Sequence, residues 1–496
     1  MAPSSNKSAK SIQPPKGTRD LYPDDVLKRR YIQNAWRDAS LRCGFDEIEG
    51  PTFETSDLYS IKSGEGILSE LFQTFSGKGG QETLDKLVAK GKADFALRPE
   101  FTPTLARMYA ARAKQLPKPC KWFTAGPYFR AERPQRGRLR EFLQWNCDII
   151  GDNGSLEARA QADVEILEVG INALQMFGLT KENALFVYSD RRLAETVLEV
   201  VGIDNARMSD WLTWLDNSGK TSPDAAIKRA YAIGVEPEQL AFIIDFFFST
   251  DEQNKQNLME LMQSDPESAM KLIELKDRVI SNVKVADAIA NVARAATISK
   301  SFGLGGWGFQ DNSIVRGLAY YTGLVFELRT AGERAVAGGG RYDNRNEQNG
   351  APPTPADGNA NGDVVLTNLL EDNNLIPQGQ ELMEAVARPQ ASIRPQAFIA
   401  VPNNDEENRA AAQSLTATLR RGQESETYLN NESRKPWDPD RYDIPPLHTR
   451  TSYKSTTNPG KLRKDADSQH AKYFIEIHAP NKVELTDMDK REPITS

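Results

Sequence analysis

Phe129-Arg130-Ala131-Glu132-Arg133-Pro134-Gln135-Arg136-Gly137-Arg138-Leu139-Arg140-Glu141-Phe142-Leu143-Gln144 carries five arginines around a central Pro and Gly. Apolar-rich runs flank it, Cys120 to Phe129 on one side and Phe142 to Ile150 on the other. This layout predicts two antiparallel strands joined by a basic, turn-forming loop. Arginine suits such a loop if its partner is a phosphate. Its planar fork makes two parallel charge-assisted hydrogen bonds, and no ordinary pH change neutralises it. A solvated charged hairpin is the plainer alternative. Against that alternative, an arginine at the end of the incoming strand faces a glutamine on the return strand, as on the floor of a pocket.

The 496 residues suffice for several domains with a sizeable core. With 26% charged and 39% hydrophobic residues, the composition is that of a soluble globular protein, and no apolar run approaches a membrane span. Residues 1–13 are polar and lack the apolar segment of a secretory signal, so they read as a disordered N-terminal extension of a cytoplasmic protein. Cys43, Cys120 and Cys147 have no CxxC spacing, which argues against a disulfide framework or a zinc site, and no metal ligands are assigned. The net charge of -7 gives no support to general nucleic-acid affinity. All three histidines (His448, His470, His478) lie far from the arginine loop. Chemistry there has to run on carboxylates, arginines, a metal or bound phosphate.

Further out, a helix is expected from Asp24 to Cys43, and a strand from Phe45 to Ile48 leading to Pro51. Phe95-Ala96-Leu97-Arg98-Pro99-Glu100-Phe101-Thr102 reads as a strand, a Pro-marked break and a helix start, with Glu100 at the corner. An acidic residue favoured by the helix dipole is the plain reading of Glu100; a ligand group is the other. Residues 179–297 read as a helical block inserted into a sheet domain, with aromatics such as Trp211 and Phe242 as its core. Gly303 to Gly308 formally match GxGxxG, but a helical segment precedes them where a dinucleotide site needs a strand. Val315 to Glu327 brings Arg316, Tyr320 and Tyr321, followed by Gly338-Gly339-Gly340-Arg341-Tyr342-Asp343. Successive glycines at a strand end allow close backbone approach to a ligand. Residues 344–362 are rich in Asn, Gly and Pro and read as loop, residues 388–396 as a linker, and 397–496 as a small α/β domain.

Taken together, Pro15-Lys16-Gly17-Thr18-Arg19-Asp20, Leu97-Arg98-Pro99-Glu100, Phe129 to Gln135, Arg316 to Glu327 and Gly338 to Asp343 resemble, in their order, the motifs of the histidyl-tRNA synthetases, class II aminoacyl-tRNA synthetases. The resemblance implies an α+β fold: an antiparallel sheet flanked by helices (14–178 and 298–387), the helical insertion, and a C-terminal anticodon-binding-like domain. It implies a homodimer, with the segment around Pro51 at the subunit contact. It also implies the substrates L-histidine, ATP with Mg²⁺, and tRNA(His).

Residue by residue, the resemblance assigns Arg130 and Arg316 to the reacting phosphate and carboxylate. Glu132, Arg138 and Arg140 go with ATP, as do Gly358, Gly362 and Asp363. Glu100, Thr102 and Gln144 go to the α-amino group, Asp148 and Tyr321 to the imidazole, Tyr320 to the histidine site, and Gly338, Gly339 and Gly340 to the pocket wall. The family's third motif is a glycine-rich strand leading into a helix. Here the matching positions are Gly358-Asn359-Ala360-Asn361-Gly362-Asp363, where two apolar residues have become Asn and a Gly has gained a methyl group. A frayed strand is the expectation. Pro459 falls where the family has helix, and residues 435–449 look inserted. These departures leave a second reading beside the ligase: an impaired paralogue that binds histidine and regulates ATP phosphoribosyltransferase or another partner.

Overall fold

The computed structural model describes residues 12–494 except 61–69, 77, 79, 92, 153, 219–220, 249–265, 316–319, 331–334, 344–352, 404 and 455. In chain order the first strands are β1 (Asp46–Glu47), β2 (Phe53–Thr55), β3 (Gln73–Thr74), β4 (Phe95–Leu97), β5 (Cys120–Phe129) and β6 (Glu141–Ile150). They are followed by β7 (Ala184–Asp190), β8 (Gly308–Gln310), β9 (Leu324–Thr330), β10 (Ala337–Arg341) and β11 (Ala356–Gly362). One sheet runs in the order β1-β5-β6-β11-β10-β9-β7-β8, and a small one in the order β2-β4-β3. The large sheet is antiparallel except at its ends, where β1 lies parallel to β5 and β8 to β7.

The quoted stretch forms the expected hairpin. β5 and β6 pair from Cys120↔Ile150 to Phe129↔Glu141, and Gln135 and Arg138 close the loop tip with mutual backbone hydrogen bonds around Gly137, whose φ is +76°. Side chains alternate across a strand, so β6 sorts its residues by face. Leu143, Trp145, Cys147 and Ile149 enter the main core; Gln144, Asn146 and Asp148 face the opposite way into a cavity. Trp145 stacks on Trp36 of the helix Pro23–Arg42 at 5.8 Å, and its indole N–H donates to the Ser40 hydroxyl at 2.9 Å. A buried indole needs such a partner, and this contact fixes which face of β6 is core.

Behind the sheet runs the helix Leu156–Met176, started by Ser155, whose hydroxyl accepts from the Ala158 amide. Its apolar residues join the core, while Asp163, Glu165 and Glu168 are buried in two ion-pair networks. Burying carboxylates at this depth requires partners. Arg341 supplies them on one side: it donates to Asp163 at 2.6 Å, to Asp152 at 3.0 Å and to the Arg159 carbonyl at 2.9 Å. On the other side Arg420 of the last domain pairs with Glu165 at 3.0 Å and with Glu168, and Lys121 of β5 reaches Glu165 at 2.6 Å.

Helices from Arg191–Val201 to Val283–Ser301 pack around a core of their own that includes Trp211, Trp214, Phe242, Phe247 and Leu272. The stretch expected to be helical from residue 179 begins, however, with β7, which is paired along its length to β9. The glycine run leads directly into β8, which takes Gly308 to Gln310.

The last strands are β12 (Ala397–Ala400), β13 (Gln423–Glu424), β14 (Tyr442–Ile444), β15 (Thr449–Thr451), β16 (Tyr473–Ala479), β17 (Lys482–Asp487) and β18 (Glu492–Ile494). Five of them form a sheet ordered β15-β12-β16-β17-β18, and the helix Glu406–Arg421 packs on it. Pro459 does not interrupt helix here. It occupies the first turn of Pro459–Ser468, behind Asn458, whose side chain accepts from the Lys461 amide. At that position a missing N–H costs nothing.

Candidate active site

A cavity of about 560 Å³ opens on the front face of the large sheet, between the arginine hairpin, the start of the helix Thr102–Arg112, and strands β6, β11 and β10. Its deep end is carboxylate- and tyrosine-rich. Glu100 and Asp148 are buried there, and Tyr320 donates to Glu100 at 3.3 Å. Thr102, Gln144 and Tyr321 line the same end. Gln144 is 8% exposed, and its side-chain carbonyl oxygen is buried without a hydrogen-bond donor. An unpaired buried acceptor costs about 1–3 kcal/mol and is a ready seat for a ligand N–H.

Burial pushes the Asp148 carboxyl up to about 7, even though the Tyr342 hydroxyl donates to it. Asn146, between Gln144 and Asp148 on the same face, donates to the Tyr128 hydroxyl at 3.2 Å. Neither Asn146 nor Tyr342 was assigned from sequence. The two-residue period of β6 points to Asn146, and Tyr342 stands within the quoted Gly338 to Asp343 motif.

The cavity's outer end is cationic. Arg130 lies over the Phe142 ring at 5.4 Å and donates to the Pro99 carbonyl at 3.2 Å, with Glu132 at 3.8 Å. Arg138 pairs with Glu132, and both line the cavity. Arg140 does not line it. Its guanidinium donates to the backbone carbonyls of Glu132 and Lys16, binding the N-terminal segment to the hairpin. Gly17 completes that contact: at φ +89° a Cβ there would come within 2.6 Å of Pro134.

Three other assigned residues, Gly339, Gly340 and Asp363, sort differently from the sequence expectation. Gly338 and Gly362 line the cavity. Gly339 faces the opposite side, where a Cβ would meet the Phe326 ring at 2.6 Å, and Gly340, at φ +149°, abuts the Leu324 carbonyl. Neither therefore forms the wall. Asp363 also turns away from the cavity: it accepts from the Leu143 amide at 2.9 Å and from Arg19 at 2.5 Å. It anchors the hairpin strand to the helix Asp363–Asp372. Arg316 lies outside the described residues.

The third-motif strand is not frayed. β11 is paired on both sides, to β6 from Ala356 to Gly362 and to β10 from Asp357 to Asn361. Asn359 is satisfied on the core side, accepting from the Cys147 amide at 3.3 Å and donating to the Ile166 carbonyl at 3.2 Å. Asn361 is less well served: its side-chain amide nitrogen is buried without an acceptor. Ala360 lines the cavity, so the added methyl group faces the ligand space.

All three cysteines are buried free thiols, pushed up by burial. Among the described residues no group of three or more His, Cys, Asp or Glu side chains could hold a metal ion. None of the described helices is long and apolar enough to cross a membrane.

Residues 17–361 match the family model for histidyl-tRNA synthetase. The histidine–tRNA ligase of Opitutus terrae is 35% identical over 363 residues, covering 73% of this chain and 75% of that protein. The chloroplastic/mitochondrial histidine–tRNA ligase of Arabidopsis thaliana is 32% identical over 378 residues, covering 76% of this chain and 69% of that protein. Among solved structures, histidyl-tRNA synthetase from Nostoc sp. PCC 7120 aligns with a TM-score of 0.54 at 19% identity, over 98% of this chain and 96% of that one. A Bacillus halodurans protein described as an ATP phosphoribosyltransferase regulatory subunit/histidyl-tRNA synthetase aligns with a TM-score of 0.55 at 19% identity, over 95% and 98%. Those two likenesses show the shared fold. On the family model and the curated relatives, the chain belongs to the histidyl-tRNA synthetase family.

Proposed function

We propose that this cavity performs histidine–tRNA ligation: it activates L-histidine with ATP and passes the histidyl group to tRNA(His). A histidine carboxylate oxygen attacks the α-phosphorus, forming histidyl-adenylate and releasing pyrophosphate. A ribose hydroxyl at the tRNA 3′ end then displaces AMP from the acyl carbon. Charge builds on phosphoryl oxygens, so fixed cations supply the stabilisation and no protein nucleophile is needed. Arg130 and Arg138 occupy the end where those oxygens belong, and the motif assigns Arg316 to the opposite side. Glu100, Thr102 and the unpaired Gln144 oxygen suit the α-ammonium group, and Asp148 with Tyr321 suits the imidazole.

Glu132 and Glu327 line the cavity and would accept from the waters of a Mg²⁺ carried on the ATP phosphates. When bound, Mg²⁺ adds charge neutralisation on the phosphates. A homodimer through the β2-β4-β3 face is part of the proposal. Phe53 there is 55% exposed and makes an edge contact with Phe95, and a subunit contact would cover it. We place the reaction in the cytoplasm.

The observation that carries the reading is the division of one cavity into a buried acceptor end and an arginine end. The test is charging of tRNA(His) transcript with labelled histidine by the purified protein. Charging with histidine alone among the amino acids supports it; histidine binding without charging would return the regulatory-paralogue reading.

A further inference from the structure

Asp148 sits opposite Gly358 in the β6–β11 register, and Gly358 sits opposite Gly340 in the β11–β10 register. Residues directly opposite in a sheet normally press their Cβ atoms against each other. At Gly358 there is none, and the Asp148 carboxylate leans across the bare backbone. A Cβ built there would lie 2.1 Å from Asp148 Oδ1 and 2.9 Å from its Cγ. From the far side Tyr342, 2% exposed, donates its hydroxyl to the same Oδ1. The Tyr342 backbone amide is tied to the Ala356 carbonyl at 2.8 Å, and its ring meets the edge of Tyr320 at 6.2 Å. One carboxylate oxygen is thereby committed to the protein, leaving Oδ2 for an imidazole N–H.

We propose that Tyr342 and Gly358 are positioning residues for Asp148, one anchoring its carboxylate and the other vacating the niche it fills, and that together they set side-chain selectivity at the histidine end. The proposal rests on the reading of Asp148 as the group that meets the imidazole. It moves Gly358 from the ATP end, where the motif puts it, to amino-acid recognition.

A phenol donating to a carboxylate favours its charged form, in opposition to burial. The other titratable groups that interact with this pair are Tyr128 on β5, Cys147 from the opposite face of β6, and Asp357 and Tyr320 beside Tyr342. None of these is cationic, so the Tyr342 hydroxyl is the main group holding Asp148 ionised.

The test is histidine-dependent pyrophosphate–ATP exchange from pH 5.5 to 8.5 with the wild type, Asp148→Asn, Tyr342→Phe and Gly358→Ala. The substrate imidazole titrates alike in all four, so differences between profiles report the protein. Asp148→Asn is expected to raise the histidine KM about tenfold or more by unpairing a buried contact. Tyr342→Phe should move the acid limb of kcat/KM upward by about half a pH unit or more, with kcat at pH 8.5 within about twofold of wild type. Gly358→Ala should raise the histidine KM about tenfold and leave the ATP KM within about twofold. If Asp148→Asn changes nothing, the reading of Asp148 fails and the proposal with it. If Asp148→Asn is defective but Tyr342→Phe loses activity uniformly with no shifted limb, or Gly358→Ala weakens ATP and not histidine, the positioning proposal alone is overturned.

Discussion

Two side chains of the cavity show how much a single residue decides in this site. Gln144 keeps an unpaired, buried carbonyl oxygen in the cavity, a cost that a ligand N–H would relieve. Gln144→Leu is therefore expected to raise the histidine KM by about tenfold while leaving the melting temperature unchanged or higher, checked by steady-state exchange and thermal unfolding. Arg130 makes the opposite case. It is partly exposed and held by one carbonyl and a distant carboxylate, so the fold needs it little. Arg130→Ala should cut adenylate formation by about 10²–10³-fold with no change in unfolding.

At the scale of the element, β11 is the instructive strand. Read by composition, residues 344–362 are a loop, because Asn, Gly and Pro dominate. Yet 356–362 is a central strand, because β6 and β10 satisfy its backbone on both sides and glycine allows the close approach. Pairing of that kind is long-range and leaves no local trace. β7 was obscured likewise: its seven residues precede a long helical block, and its partner β9 lies more than a hundred residues away. The β5–β6 hairpin was legible because its signal is local: two apolar runs, a Pro-Gly turn and a two-residue period. The same period placed Gln144 and Asp148 on one face but could not show that Gly339 and Asp363 turn away from it.

Two predictions belong to β11. The Asp357 carboxyl is fully buried without a hydrogen-bond donor and adjoins Asp163, which Arg341 already holds. Burial first, then the Asp163 charge, pushes Asp357 well above the usual carboxylate range. Since the folded state favours its protonated form, its contribution is complete below the unfolded value near 4 and is lost as pH rises. Asp357→Asn should lie closest to wild-type thermal stability near pH 4 and exceed it increasingly toward pH 8.5; equal pH dependence in both would contradict burial of Asp357 in its protonated form. Asn361→Leu, which removes an unpaired buried amide while keeping the branching, should stabilise by about 1–3 kcal/mol in denaturant unfolding.

Across the whole molecule, the helix Leu156–Met176 joins the large sheet to the helix Glu406–Arg421 through charge. Arg420 and Glu168 are fully buried, and Lys121 and Arg420 overcome burial to hold Glu165 at about 2. Removing one partner from such a network costs about 3–5 kcal/mol, because the remaining charges stay buried. Arg420→Met is thus expected to lower the melting temperature markedly, and restoring neutrality with Glu168→Gln in the same chain should recover part of the loss. Nothing in the sequence signalled this junction: Arg420 reads as one more basic residue in the last turn of a helix, and its partners lie some 250 positions earlier.

The most direct test of the central claim is histidine-dependent exchange of labelled pyrophosphate into ATP by the purified full-length protein, run with each of the standard amino acids and with and without Mg²⁺. The account predicts exchange with histidine alone, dependent on Mg²⁺ and lost in Arg130→Ala. Bound histidine without exchange, or full exchange in Arg130→Ala, would contradict it.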